Sequence, residues 1–356
     1  MNIKKGRHNA GVTAFAVLFL VGSACQSAEP AAPLIVDAVY LHPSRLVEIE
    51  PGRKMNLYCT GSGSPTVIFE AGMTDPTNVW GFVQPVVAAN TRACSYDRAG
   101  VGFSDPARLP STSANIVDDL HRLLRATSID PPYILVGASS GAIHVRLYAA
   151  TYPAEVVGMV LVDPSSEYQS DSYRKIDPRH LTMPQWEAQV VDADSDLRHK
   201  CIAAADASKL VVGSDLYEKC SFPQYKQLSP EIQTATIKFQ MTAAMQRAQL
   251  SEEEAFDPSQ DELLAARRDL GDMLLIVLTK ASPPPPTTPL SPDKEALRVA
   301  RNNLWFDLNK RIAAWSTRGV QRVVPGTGHG IELERPQAVS DAILEVLHDV
   351  GPQQHS

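Results

Sequence analysis

Short apolar runs rich in β-branched residues alternate with amphipathic segments along most of this chain, and that alternation narrows the fold more than any other feature. "TVIFEAG", "TRACSYDR", "YILVG", "VVGMVLVDP", "DMLLIVLT" and "GVQRVV" read as buried strands. Between them lie helix-like stretches at 83–90, "ANIVDDLHRLLRAT", 141–152, 294–316 and "RPQAVSDAILEVLHDV". Continuous apolar strands separated by helices belong to a mainly parallel sheet covered on both faces. Ahead of them, "RLVEIE", the turn "PGR" and "KMNLYCTG" read as an antiparallel pair. The alternation stops at 165–271, which holds helix-like pieces such as "SPEIQTATIKFQMTAAMQRAQL" but no buried strand. This stretch is expected to form a helical cap inserted between two strands of one sheet. "SPPPPTTPLSP" is expected to be extended and exposed.

The extreme N-terminus reads differently. Lys4, Lys5 and Arg7 precede the apolar stretch "GVTAFAVLFLVGSAC", the pattern of a signal peptide spanning 1–24. The stretch is shorter than the roughly 20 apolar residues of a membrane-spanning helix. Cys25 follows the small residues "GSA", so lipidation at Cys25, a membrane tether, stands beside plain secretion as an expectation; Gly22 occupies the place where a lipidation signal usually carries Leu. Residues 25–38, rich in Ala and Pro, are expected to be a tether. The localisation expected is periplasmic or cell-envelope. Cys59, Cys94, Cys201 and Cys220 remain, an even number that suits disulfides in an exported chain and allows three connectivities. A net charge of −7 without a long basic block argues against a nucleic-acid partner.

The chemistry centres on "GASSG", Gly137 to Gly141. It follows the strand "YILV" and opens a helix, the context in which G-x-S-x-G forms a nucleophile elbow. Ser139 is the expected nucleophile. A serine hydroxyl needs a base, and of nine histidines His329, in the glycine-flanked loop "GTGHGIELE" after the last strand, is the candidate. His144 falls inside the helix after the elbow, where it is expected to face packing. His121 and His348 fall on amphipathic helices. The base needs an acid behind it. Asp163, directly after "MVLV", is favoured; Asp293, which lies beyond "KASPPPPTTP", is the alternative. The oxyanion formed by attack on a carbonyl requires two backbone N–H donors. Ser140, next to the nucleophile, supplies one, and Met73 in the loop "EAGMTD" is the candidate for the other, with Gly72 letting the chain turn.

The stretches "CTGSGSPTVIFEAG", "CSYDRAGVGFSDP", "YILVGASSGAIHVRLYAATYP", "VVGMVLVDP" and "GTGHGIELERPQAV" together resemble the α/β-hydrolase fold superfamily, in particular exported bacterial serine hydrolases and esterases. The resemblance implies a mostly parallel eight-stranded sheet with helices on both faces. The core would run over 39–164 and 272–356, around the insertion at 165–271. It implies the order Ser139, Asp163, His329, with the acid after strand six instead of the more usual place after strand seven. It brings strands two and four side by side, so that a Cys59–Cys94 disulfide becomes reasonable and Cys201–Cys220 would pin the cap. "DRAGVGFSD" (97–105) would be a structural loop near the site. The activity implied is hydrolysis of a carboxylic ester or related acyl bond in a small-molecule substrate, without metal or cofactor. Amide or peptide cleavage and acyl transfer remain open, as does a non-catalytic binding protein on this fold; the oligomeric state is left open.

Overall fold

The computed structural model describes residues 33–180, 182–186, 192–222, 224–266, 269–281 and 288–351. The signal-peptide reading and Cys25 lie outside the described residues. Eight strands form one sheet: β1 (Leu46–Glu50), β2 (Arg53–Thr60), β3 (Thr66–Glu70), β4 (Ala93–Tyr96), β5 (Tyr133–Ala138), β6 (Val156–Val162), β7 (Leu275–Lys280) and β8 (Gly319–Val324). Their order is β1-β2-β4-β3-β5-β6-β7-β8. The pairs β1–β2 and β2–β4 are antiparallel, and every pairing from β4 to β8 is parallel.

The pleat divides the strand side chains between two cores. Ile68, Leu135, Met159, Leu161, Leu275 and Val277 enter one, and Phe69, Val136, Val160, Val162, Ile276 and Leu278 the other. The first is covered by α2 (Ser113–Ala126) and α3 (Gly141–Thr151). The second is covered by α1 (Gln84–Ala88) and by the last helix of the chain, Pro336–Val350, through Val339, Ile343 and Val346. Thr112 caps α2 by accepting from the Asn115 N–H, as a threonine at this position should.

Between β6 and β7 the described residues are helical: α4 (Gln169–Ile176), α5 (Met183–Trp186), α6 (Asp192–Asp206), α7 (Asp215–Cys220), α8 (Pro230–Gln240), α9 (Ala243–Glu254) and α10 (Phe256–Ala266). After β7 come α11 (Pro292–Ala313), α12 (Ile331–Glu334) and α13 (Pro336–Val350). Two boundaries of the sequence reading change. α10 is not part of a separate cap: Leu263 is fully buried in the core beneath α2 and α3. The tether reading of 25–38 ends too late. Ile35 is buried and bridges Leu228, its N–H donating to the Gln227 carbonyl while its own carbonyl accepts from Ser229. Of "LIV" only Ile35 is buried against this partner segment, while Leu34 and Val36 stay exposed, and Gly81 leaves the room that Ile35 fills.

Two disulfides cross-link the fold. Cys59 and Cys94 face each other across the β2–β4 ladder, and Cys201–Cys220 joins α6 to α7. Cross-links of this kind persist in oxidising compartments.

Candidate active site

β5 ends at Ala138, and Ser139 turns the chain sharply into α3 with a φ of 50°, an uncommon conformation for a residue other than glycine. The turn is over-determined. The Ser139 N–H donates to the Val162 carbonyl, and its carbonyl accepts from Ser165 and Ala142. The flanking glycines provide space. A Cβ at Gly137 would lie 2.6 Å from Val145 and 2.9 Å from the Ala142 Cα, and one at Gly141 would collide with the Ala71 carbonyl.

The next parallel strand ends the same way. Asp163 follows β6 with a φ of 42°, and its side chain is fully buried. His329, in the loop after β8, bridges the two turns: Nε2 lies 2.8 Å from Ser139 Oγ and Nδ1 lies 2.5 Å from Asp163 Oδ2. Asp163 Oδ1 accepts from the indole Nε1–H of Trp305 at 2.7 Å and from the Lys280 backbone N–H at 3.0 Å. The Lys280 ammonium is 3.2 Å from Oδ2 and sits over the Trp305 ring. Burial alone would raise the Asp163 pKa. The His329 hydrogen bond and charge and the Lys280 ammonium outweigh it and hold the carboxyl below its ordinary value. Asp293 is exposed in the first turn of α11.

The structure thus brings Ser139, His329 and Asp163 into one chain of hydrogen bonds. It also explains the missing acid after β7: Lys280 occupies that strand end and anchors Asp163. Lys280 and Trp305 were not singled out in the sequence. A lysine directly after an apolar strand was the only signal, and it names no partner.

Met73 and Ser140 flank Ser139, and among the described residues neither backbone N–H donates a hydrogen bond within the protein. The neighbouring Thr74 N–H is already taken, by Glu252 of α9 at 2.7 Å. Glu252 also binds buried Arg98, whose guanidinium reaches Glu70 and the carbonyls of Ala71 and Gly72. The insertion therefore fixes the loop that carries Met73. Ser140 Oγ is buried without a hydrogen-bond partner, so Ser140→Ala should keep hydrolytic rates within about threefold of wild type, because only its backbone faces the site. A steady-state assay checks this, and a loss near that of Ser139→Ala would contradict it.

The remaining candidates have structural surroundings. His144 is buried with Nδ1 2.7 Å from Ser113 Oγ, and burial and the Arg98 charge depress its pKa well below the ordinary value. His121 stacks on Tyr152. Asp97, opening "DRAGVGFSD", accepts from the Thr77 and Phe103 N–H groups and from the Asn56 amide, so it braces the loop.

A cavity of about 610 Å³ opens above Ser139 and His329. Its walls combine the Met73–Asp75 loop, α12 and insertion residues such as Tyr225, Phe239 and Met245. Three carboxyls line it, the exposed Glu334 and the more buried Asp75 and Glu332. Burial pushes Asp75 up to about 6, against the pull of its Tyr225 hydrogen bond. Burial, with the negative charges of Asp75, Asp163 and Glu334 adding to it, pushes Glu332 up to about 8. The folded protein then holds a proton on Glu332 that the unfolded chain has released. Stability from this group is full below the unfolded carboxyl pKa and is lost as pH rises through about 8. Glu332→Gln should therefore melt about 2–4 °C above wild type at pH 9, with a smaller gap at pH 5, in calorimetry; an equal gap at both pH values would count against this.

Comparison with known proteins agrees with the fold. A family model described as the alpha/beta hydrolase fold matches residues 65–222. An uncharacterized protein of Bacillus subtilis, YqjL, is 35% identical over 105 residues, which cover 30% of this chain and 42% of that protein. An AB hydrolase superfamily protein of Gibberella zeae is 36% identical over 107 residues, 29% of this chain and 33% of that one. The chain thus spans less than half the length of these curated relatives. Among solved structures, a thermophilic esterase from Thermogutta terrifontis superposes with a TM-score of 0.55 at 18% identity, covering 86% of this chain and 99% of that one. A bromoperoxidase from Bacillus anthracis gives 0.54 at 17% identity, covering 86% and 99%. The 1-2-4-3-5-6-7-8 sheet and the family match over 65–222 together show that this chain has the α/β-hydrolase fold.

Proposed function

We propose that the chain is a serine hydrolase that cleaves a carboxylic ester or a closely related acyl bond. The observation that carries this reading is the Ser139–His329–Asp163 hydrogen-bond chain at the base of the cavity. His329 Nε2 takes the Ser139 proton as Oγ attacks the acyl carbon. The Met73 and Ser140 N–H groups meet the oxyanion. Collapse of the tetrahedral intermediate breaks the acyl–oxygen bond, and the departing alcohol takes the proton from His329. Water, deprotonated by His329, then attacks the acyl-serine carbonyl. Ser139 leaves with the proton and the free acid is released. Asp163 holds Nδ1 protonated throughout, so that Nε2 is the acceptor.

An esterase among the proteins that share the fold is consistent with this reading. Amide cleavage and acyl transfer use the same first step, and no observation favours them over ester hydrolysis. The two disulfides and the signal-like N-terminus support export to the periplasm or cell envelope, with lipidation at Cys25 as one route to retention there. A fluorophosphonate probe should label the protein at Ser139, and Ser139→Ala should not label. Labelling that persists in the variant, or a wild type that neither labels nor hydrolyses short esters, would overturn the reading.

A further inference from the structure

The cavity over the elbow is lined by two buried or half-buried carboxyls, Asp75 and Glu332, that nothing in the ester mechanism uses. Glu332 is 5% exposed and lines the cavity, and its Oε2 has no hydrogen-bond partner among the described residues. A buried carboxyl oxygen without a partner costs free energy, and its place on the cavity lining leaves it open to a ligand's donor. Asp75 stands close enough for its charge to act on Glu332. Among the described residues the Asp75 carboxyl accepts only from the Tyr225 hydroxyl, at 3.1 and 3.3 Å from its two oxygens. It lies beside the nucleophile: a Cβ at Gly72 would sit 2.9 Å from Asp75 Oδ2 and 3.5 Å from the Ser139 Cβ.

The Arg98 and His329 charges reach Asp75, but the nearby cations make their hydrogen bonds elsewhere. Arg98 spends its donors on Glu70, Glu252 and the carbonyls of Ala71 and Gly72. Lys280 serves Asp163, and Lys226 is exposed at the cavity edge. Glu334 is exposed and accepts from the Gly328 N–H. When ionised, Asp75 and Glu332 would oppose the negative charge that develops on an oxyanion in the same cavity. A cation held between them removes that opposition and supplies donors for the open lone pairs.

We propose that Asp75 and Glu332 form a subsite for an ammonium group on the substrate, so that the preferred substrates are esters bearing a protonated amine near the scissile carbonyl, such as amino acid esters. The substrate class rests on the hydrolase reading above; the ammonium subsite can be tested without it. Ammonium binding favours the ionised carboxyls, so it releases protons near neutral pH. The groups facing this process are Tyr225, Asp163, Glu334, His329 and Lys226.

The test compares two esters of one shape. The 2-naphthyl ester of alanine carries an ammonium where the 2-naphthyl ester of isobutyric acid carries a methyl. The wild type should prefer the alanine ester at least about tenfold in kcat/KM, and Glu332→Gln should lower that ratio about tenfold. Asp75→Asn should lower it in the same direction and stands in should the first variant fail to fold. Hydrolysis of both esters with no preference, or a ratio unmoved by either variant, overturns the subsite. Calorimetric titration with alaninamide against isobutyramide does not depend on turnover. Binding of alaninamide alone, weakened in Glu332→Gln and with protons released to the buffer, supports the subsite even if neither ester is cleaved, in which case only the hydrolase reading falls. Absence of alaninamide binding to the wild type at millimolar concentration overturns it.

Discussion

Ser139→Ala is expected to lower kcat for a short acyl ester by about 10⁶-fold with little change in KM. An alcohol is a weak nucleophile, and in the proposed mechanism the Ser139 hydroxyl becomes competent through its 2.8 Å contact to His329 Nε2. Alanine removes the attacking atom and leaves the cavity walls, the Met73 and Ser140 N–H groups and the glycines of the turn in place. Substrate can still bind and the oxyanion donors still face it, so a residual rate above the uncatalysed one should survive. His329→Ala should cost a similar factor, and the double variant little more than either single one, because the two groups act as one unit. The fold itself should be indifferent. Alanine can occupy the same turn, which is held by backbone bonds to Val162, Ser165 and Ala142, so melting should shift by no more than about 2 °C. Steady-state kinetics and calorimetry read both quantities. A variant that retains even one per cent of wild-type kcat would show that another group attacks the substrate.

What could be read in the sequence was what is local. "YILVGASSGAI" carries its own meaning, since a strand, a glycine-flanked serine and a helix are all within eleven residues. His329 was legible because glycines surround it at a strand end, and Asp163 because it follows an apolar run without a gap. The partners that make these residues what they are come from far along the chain. Lys280 is 117 residues from Asp163, Trp305 is 142 away, and Glu252 reaches the Thr74 N–H across 178. No periodicity encodes such pairings; the sheet order and the docking of the insertion create them. Ile35 shows the same limit from the other side. Its composition reads as a tether, and only the segment around Leu228 makes it part of the fold. Glu332 is not distinguishable from Glu334 by sequence, two residues apart in "IELE". The structure buries the first and leaves the second exposed.

Asp163→Asn is expected to lower kcat by about 10⁴-fold, whereas Asp293→Asn should leave it within about twofold. The asymmetry follows from donors. Trp305 Nε1–H and the Lys280 N–H both point at Oδ1, and an asparagine can satisfy them only by placing its carbonyl oxygen there. Its NH₂ group then takes the Oδ2 position, 2.5 Å from His329 Nδ1 in the wild type. An NH₂ is a donor, so Nδ1 must become the acceptor and the ring proton moves to Nε2. In that tautomer Nε2 cannot take the Ser139 proton. The lesion is a wrong proton position in an intact geometry, and substrate binding should survive it. A second readout follows from charge. The Asp163 carboxyl is held below its ordinary pKa, so its contribution to stability is present above the unfolded value and is lost as pH falls through the folded one. Asparagine cannot titrate, so the melting temperature of the variant should fall less steeply than that of wild type as the pH is lowered from about 5 to 3. Asp293, exposed in the first turn of α11, has no such role. Parallel kinetics on the two variants decide the matter: loss of activity in Asp293→Asn with retention in Asp163→Asn would transfer the acid to α11 and leave the buried Asp163 contacts purely structural.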